Sequence, residues 1–186
     1  MNRKLAVTAL LMTALTAASI FAQGFTNPDK WFTYDDKNDR GTSKVSKASD
    51  FVQIDGRDVL SVTMTGEVTK KCAYGFIGIG VTPEPAELKA LQGATGIKFK
   101  TSGDGKKYRV KVETSDIRDY DVFGFIFEAP KGEPVELVIP YSKMTQEGWG
   151  AKKKFKRENI TKIQFQTVGQ PHATVELKVV DIQTIP

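Results

Sequence analysis

Apolar and polar residues alternate with a period of two through the middle of the chain. Ile97 and Phe99 interleave with Lys98 and Lys100, and Tyr108, Val110 and Val112 interleave with Arg109, Lys111 and Glu113. This period places each apolar set on one face of a sheet and each charged set on the other. Gly103-Asp104-Gly105 stands between the two runs. An Asp-Gly pair in that position predicts a tight hairpin, because such a turn needs positive φ. A second pair, Asp55-Gly56, predicts another hairpin joining Phe51–Ile54 to Val59–Thr65. Five further runs rich in β-branched and aromatic residues read as strands: Ala73–Val81, Tyr120–Phe127, Val135–Ile139, Ile160–Thr167 and Thr174–Ile182. The pattern predicts one short helix, Pro83–Leu91, with Pro83 at its start, Glu84 and Glu87 in its first turn and Gly93 as a stop.

About nine strands with short, turn-rich connections and almost no helix predict an all-β fold. Each strand carries one apolar face, so two antiparallel sheets must stack as a β-sandwich or jelly roll. The outward faces of those sheets are then where function should lie.

The N-terminus changes the picture of where the protein works. Arg3 and Lys4 precede an apolar stretch, Leu5–Leu15, which ends in small residues around Ser19-Ile20-Phe21-Ala22. This is the layout of a secretory signal, and cleavage is expected after Ala22. The run is shorter than the ~20 apolar residues a membrane span requires. The expected organisation is a signal peptide over 1–22 and a single β-sandwich domain over 23–186, exported to the periplasm or beyond, with no transmembrane segment after cleavage. Without Arg3 and Lys4 the 27 basic residues fall to 25 against 22 acidic, a net of +3. So mild a charge, alternating in sign, does not indicate nucleic acid.

Candidate chemistry is sparse. Cys72 is the single cysteine and reads as a small hydrophobe beside an apolar run. His172 is the single histidine; it follows Pro171 in an expected turn and has no evident nucleophile to serve. One His and one Cys do not make a zinc site. A carboxylate pair of the glycosidase kind is open in principle, yet nothing marks a particular pair. The basic run Lys152–Arg157 reads as a solvated loop with Phe155 tucked toward the core. The expectation is therefore a protein that is not an enzyme.

Three segments go beyond generic strand signals. They are Gly96–Val112 with its Gly-Asp-Gly turn, Ile139-Pro-Tyr-Ser-Lys-Met-Thr-Gln-Glu-Gly-Trp-Gly150, and Ile160-Thr-Lys-Ile-Gln-Phe-Gln166. In this order and spacing the chain, from about Trp31 to Ile182, resembles the family 11 carbohydrate-binding modules and the related complex I intermediate-associated protein domain. Tyr34-Asp35-Asp36 and Val180-Asp181-Ile182 fit the family's opening and closing strands. The resemblance implies a galactose-binding-like jelly roll that binds β-glucan-like polysaccharide along the concave face of one sheet, without catalysis. Aromatic rings there would meet sugar faces, and amide and charged groups would bind hydroxyls. The positions that match are Tyr74, Arg109, Asp121, Trp149, Gln164 and Gln166. The tyrosine strip is thin, and a glutamine stands where the family pattern has a histidine. No cofactor is required, but a structural calcium ion bridging the first and last strands is implied, with Asp36 and Asp181 as its candidate ligands. Two partner readings stay open: a polysaccharide, alone or beside glycoside hydrolases, and cell-envelope proteins bound by an assembly module of the same fold.

Overall fold

The computed structural model describes residues 25–186, so the expected signal peptide at 1–22 lies outside the described residues. Ten strands and one helix form in chain order: β1 (Trp31–Asp35), β2 (Lys44–Ile54), β3 (Arg57–Val68), β4 (Ile77–Val81), α1 (Pro85–Gly93), β5 (Gly96–Gly103), β6 (Lys107–Thr114), β7 (Phe123–Glu128), β8 (Val135–Pro140), β9 (Ile160–Thr167) and β10 (His172–Ile185). They make two five-stranded sheets, ordered β1-β4-β9-β6-β7 and β2-β3-β10-β5-β8, with every neighbouring pair antiparallel. This is the all-β jelly-roll sandwich that the alternation predicts.

The inward residues of both sheets interdigitate as one core. Phe99 of the second sheet sits edge-on to Phe165 and Phe127 of the first, at 5.1 and 5.5 Å between centroids. Trp31 stacks on the far side of Phe165 at 6.3 Å. These rings tie the layers together, and β9 and β6 run through the middle of the first sheet.

Asp55 and Gly56 have φ of 51° and 73° and close a two-residue β2–β3 hairpin, as their sequence predicts. The second expected hairpin is corrected. β5 pairs with β10 and β8, whereas β6 pairs with β9 and β7, so Gly103-Asp104-Gly105 carries the chain from one sheet to the other. The crossing is held by N–H groups of Gly103 and Gly105 donating to the carbonyls of Pro130 and Ala129. The run from Ala73 becomes strand only at Ile77. The helix begins later than its Pro83 signal, at Pro85, where Glu84 and Glu87 form a reciprocal capping box.

Two side chains also depart from expectation, and a third meets it. His172 is buried at the start of β10, with Nε2 3.0 Å from the Val168 carbonyl oxygen. Burial, followed by the nearby Lys106 charge, pushes its pKa below the ordinary histidine value. Cys72 lies half-buried in the β3–β4 loop, its thiol donating to Asp36 at 3.6 Å. Phe155 does tuck inward, against Phe123 and Tyr141 at 5.0 and 5.2 Å between centroids.

Candidate functional site

The outer face of the first sheet collects the polar chemistry. Ile163, Phe165 and Thr167 of β9 are buried in the core, so the alternation turns Lys162, Gln164 and Gln166 outward. By the same rule β6 turns out Arg109, Lys111 and Glu113. The strand register then writes two rows across the sheet. One runs Tyr34, Gly78, Gln166, Arg109, Ile126; the next runs Phe32, Gly80, Gln164, Lys111, Gly124. Five strands about 4.8 Å apart make each row roughly 19 Å wide.

At the β1 side the face is aromatic. A Cβ at Gly78 would stand 2.2 Å from Tyr34 Cζ, and one at Gly80 would stand 2.5 Å from Phe32 Cζ. The missing side chains of β4 therefore let the β1 rings lie down on the sheet. Phe32, Tyr34 and Phe76 form a continuous row, with centroids 6.2 and 6.0 Å apart. The Lys162 ammonium stands 5.9 Å over the Phe32 ring.

In the centre the polar groups hold one another. Lys111 Nζ donates to Gln166 Oε1 at 3.0 Å, and the Tyr34 hydroxyl points at the same oxygen at 3.4 Å. Gln164 Nε2 donates to Glu113 Oε1 at 2.9 Å, while Lys162 pairs with Glu113 Oε2 at 3.1 Å. Burial lowers the Lys111 pKa, opposed by the nearby Glu147 charge and assisted by that of Arg109. Burial, with Glu113 beside it, raises the Tyr34 phenol. Its hydroxyl therefore stays protonated and able to donate.

At the β7 side a loop rises over the face. Gly124 leaves room for Arg109, whose Nε a Cβ there would approach to 2.4 Å. Arg109 is 5% exposed; it pairs with Glu147 at 3.3 Å and donates to the carbonyls of Thr145 and Val122. Asp121 is 1% exposed and accepts from the backbone N–H groups of Glu147, Gly148 and Gly150 at 2.8, 3.0 and 2.9 Å. Asp119 accepts from Ala151 N–H at 2.7 Å; this bond, with another from Asp121 N–H, holds its carboxyl below the usual range. The loop so pinned presents Trp149, 61% exposed, with its indole N–H donating to Glu147 Oε2 at 3.1 Å.

Of the residues singled out in the sequence, Gln164, Gln166 and Arg109 meet on one face, and Trp149 joins them through Glu147. Arg109 and Asp121 act there as supports of the Trp149 loop. Tyr74 is 83% exposed in the β3–β4 loop, whose backbone is fastened by Gln170. Its side chain has no hydrogen bond or ring contact with the face among the described residues. Phe32, Tyr34, Phe76, Lys111, Glu113 and Lys162 escape sequence reasoning as site residues. Their usable signal is Phe-x-Tyr in β1 opposite Gly-x-Gly in β4.

Asp36 and Asp181 are not brought together. Asp36 accepts from Ser43 N–H and Oγ–H at 3.1 and 2.6 Å, and Ser43 Oγ in turn accepts from Thr69 N–H, past the end of β3. Asp181 pairs with Arg57 at the start of β3 and accepts from Gln183 at 2.6 Å. Roughly 40 Å of strand separates the two ends of β3, and both carboxylates already face hydrogen-bond donors. A single calcium ion does not fit the pair. Among the described residues no group of three or more His, Cys, Asp or Glu side chains gathers as a metal site, and no helix is long and apolar enough to cross a membrane.

The ten-stranded jelly roll is a fold that this chain shares with solved carbohydrate-binding modules. The structure superposes on the family 11 carbohydrate-binding module of a cellulosomal cellulase of Clostridium thermocellum, with TM-score 0.58, 14% identity, and 89% of this chain and 92% of that one covered. It is equally like the family 11 module from the same organism in complex with a β-1,3-1,4-mixed-linked tetrasaccharide, with TM-score 0.57, 15% identity, and coverage of 87% and 91%. In sequence it is 27% identical over 149 residues to Endoglucanase 3 of Fibrobacter succinogenes, covering 76% of this chain and 22% of that protein's length. The sequence model of complex I intermediate-associated protein 30 matches residues 21–179, and the chain belongs to that family.

Proposed function

We propose that this is an exported, non-catalytic carbohydrate-binding protein that takes an extended β-glucan-like chain across the outer face of the first sheet, the counterpart of the concave face the sequence resemblance implies. The observation that carries this reading is the order of chemistries across the face: the rings of Phe32 and Tyr34, then the amides of Gln164 and Gln166 with Lys111, and past them the loop that presents Trp149 and meets the face through Glu147. Rings at both ends meet the apolar faces of sugar units, while the amides and the ammonium exchange their mutual bonds for hydroxyls at little net cost. An open face suits a chain that continues beyond the site. The likeness to a module solved with a mixed-linked tetrasaccharide supports the choice of ligand.

Affinity electrophoresis and calorimetry with mixed-linked β-glucan test it, using Tyr34→Ala, Gln164→Ala and Trp149→Ala beside the parent protein. Retardation that the variants weaken about tenfold or more, the size of an interface hot spot, is the expected result. Absence of binding to any β-glucan would overturn the reading. A second reading is an envelope assembly module. It is favoured by the exposed apolar residues Trp149, Tyr120 and Ile126 at the β7 edge, 61%, 78% and 46% exposed, since such patches mark protein contacts. Capture of one defined envelope protein, lost in Ile126→Glu, would support it.

A further inference from the structure

We propose a second ligand site, for a single neutral sugar unit, in a cavity between the two sheets at the start of β1. The cavity measures about 300 Å³ and has an apolar floor that includes Leu60 and Val179. Trp31 lines it together with Arg57, Asp58 and Asp181. Trp31 points inward, where it stacks on Phe165, while Phe32 points out. The cavity is therefore separate from the face built on Gln164 and Gln166, and this inference stands whether or not that face binds glucan.

Two independent observations mark the cavity as more than a packing gap. The first is Trp31 itself. It is 4% exposed, and its Nε1–H has no acceptor among the described residues. A buried donor without a partner is uncommon and points to an acceptor supplied from outside the chain. The second is Asp181. Its φ is +53°, a left-handed conformation on a non-glycine residue, at the irregularity where β10 slips its register with β5 between Val180 and Gln183. Bulges and left-handed residues of this kind aim side chains at functional sites. Here the side chain is 7% exposed, and Arg57 and Gln183 both donate to Oδ2, which leaves Oδ1 as an acceptor.

The donor and acceptor set names the ligand class. Trp31 and Arg57 donate; Asp58 and Asp181 accept; the floor is apolar. An anion would meet two carboxylates, and an amine would leave the indole and guanidinium donors idle. Sugar hydroxyls both donate and accept, so vicinal hydroxyls satisfy an arginine–aspartate pair while ring C–H groups cover the apolar floor. A volume at the lower end of small-molecule sites admits one ring and not a chain.

Amide and indole resonances of the full chain, titrated in turn with D-glucose, D-galactose and D-mannose, test the proposal. One of these sugars is expected to shift the Trp31 indole N–H and the amides of Arg57–Leu60 and Val179–Ile182, with Kd on the order of 1 mM for so small a ligand. Trp149→Ala leaves this response intact. Asp181→Gly relieves the left-handed backbone, so its Tm holds or rises, while the sugar response weakens about tenfold. Trp31→Phe keeps the stack on Phe165 and weakens the amide response by a similar factor. No movement of these resonances with any of the three sugars would overturn the proposal. So would an undiminished response in Asp181→Gly, or a response to phosphate or ethanolamine in place of sugar.

Discussion

Replacing Gly80 by alanine adds one carbon atom beneath the aromatic end of the outer face. The new Cβ would stand 2.5 Å from Phe32 Cζ and 3.1 Å from Gln164 Cγ, so the ring must lift or the strands must part. Two effects oppose each other. Alanine in a strand interior gains about 0.5–1 kcal/mol over glycine through the unfolded chain. Overpacking costs about 1–3 kcal/mol. The clash wins, and the net loss is about 1–2 kcal/mol, a fall in Tm of about 3–6 °C for a domain of this size. The assay is thermal and denaturant unfolding of four proteins: parent, Gly80→Ala, Phe32→Ala and the double variant. If the ring is the obstacle, Gly80→Ala becomes neutral or stabilising once Phe32 is gone, with a coupling of about 1 kcal/mol or more. Glucan affinity should fall in Gly80→Ala as well, because Phe32 and Gln164 both move. A Gly80→Ala protein as stable as the parent, or one penalised equally without Phe32, would refute the account of β4 as a bed for the β1 rings.

Lys111→Met removes an ammonium that burial disfavours, so Tm should rise by the equivalent of about 1 kcal/mol while glucan binding weakens; calorimetry and thermal unfolding of one variant read both signs. Asp121→Ala strips the acceptor from three backbone N–H groups. It should cost about 2–4 kcal/mol and free the Trp149 loop, seen as loss of its fluorescence anisotropy. His172 is buried with its pKa lowered, so the unfolded chain binds the extra proton first on acidification. Stability should fall as pH drops below about 6.5, and pH-dependent denaturation of His172→Gln should lack that step.

Where alternation and turn chemistry act locally, the fold is readable from residues alone. The β2–β3 hairpin, the inward set of β9 and the capping box of α1 all follow from contacts a few residues apart. The Gly103–Gly105 turn misleads because period two defines faces and not partners. β5 meets β8 and β10, and no local signal says so. β1 escapes the alternation because Trp31, Phe32 and Tyr34 place aromatics on both of its faces. The same limit governs the site. Gln164 and Gln166 are visible as the polar half of an amphipathic strand. Phe32 and Tyr34 become site residues only once the register sets them over Gly80 and Gly78. Arg109 and Asp121 are visible in the sequence as candidate ligand contacts, but not their partners within the chain: the Glu147 carboxylate and carbonyls for Arg109, and backbone N–H groups for Asp121.

The loop that carries Trp149 is fastened to Asp119 and Asp121, in the β6–β7 connection, and by Arg109. Its shape is thus written in a neighbouring connection and at the edge of the sheet, where Gly124 of β7 exchanges backbone hydrogen bonds with Thr145. Mutation can exchange the loop's exposed residues and leave the sandwich undisturbed, provided the aspartate clasp survives. A transplant of this loop onto a related scaffold must carry the clasp and keep an arginine and a glycine at the places of Arg109 and Gly124, because all of these set the pose of the tryptophan segment.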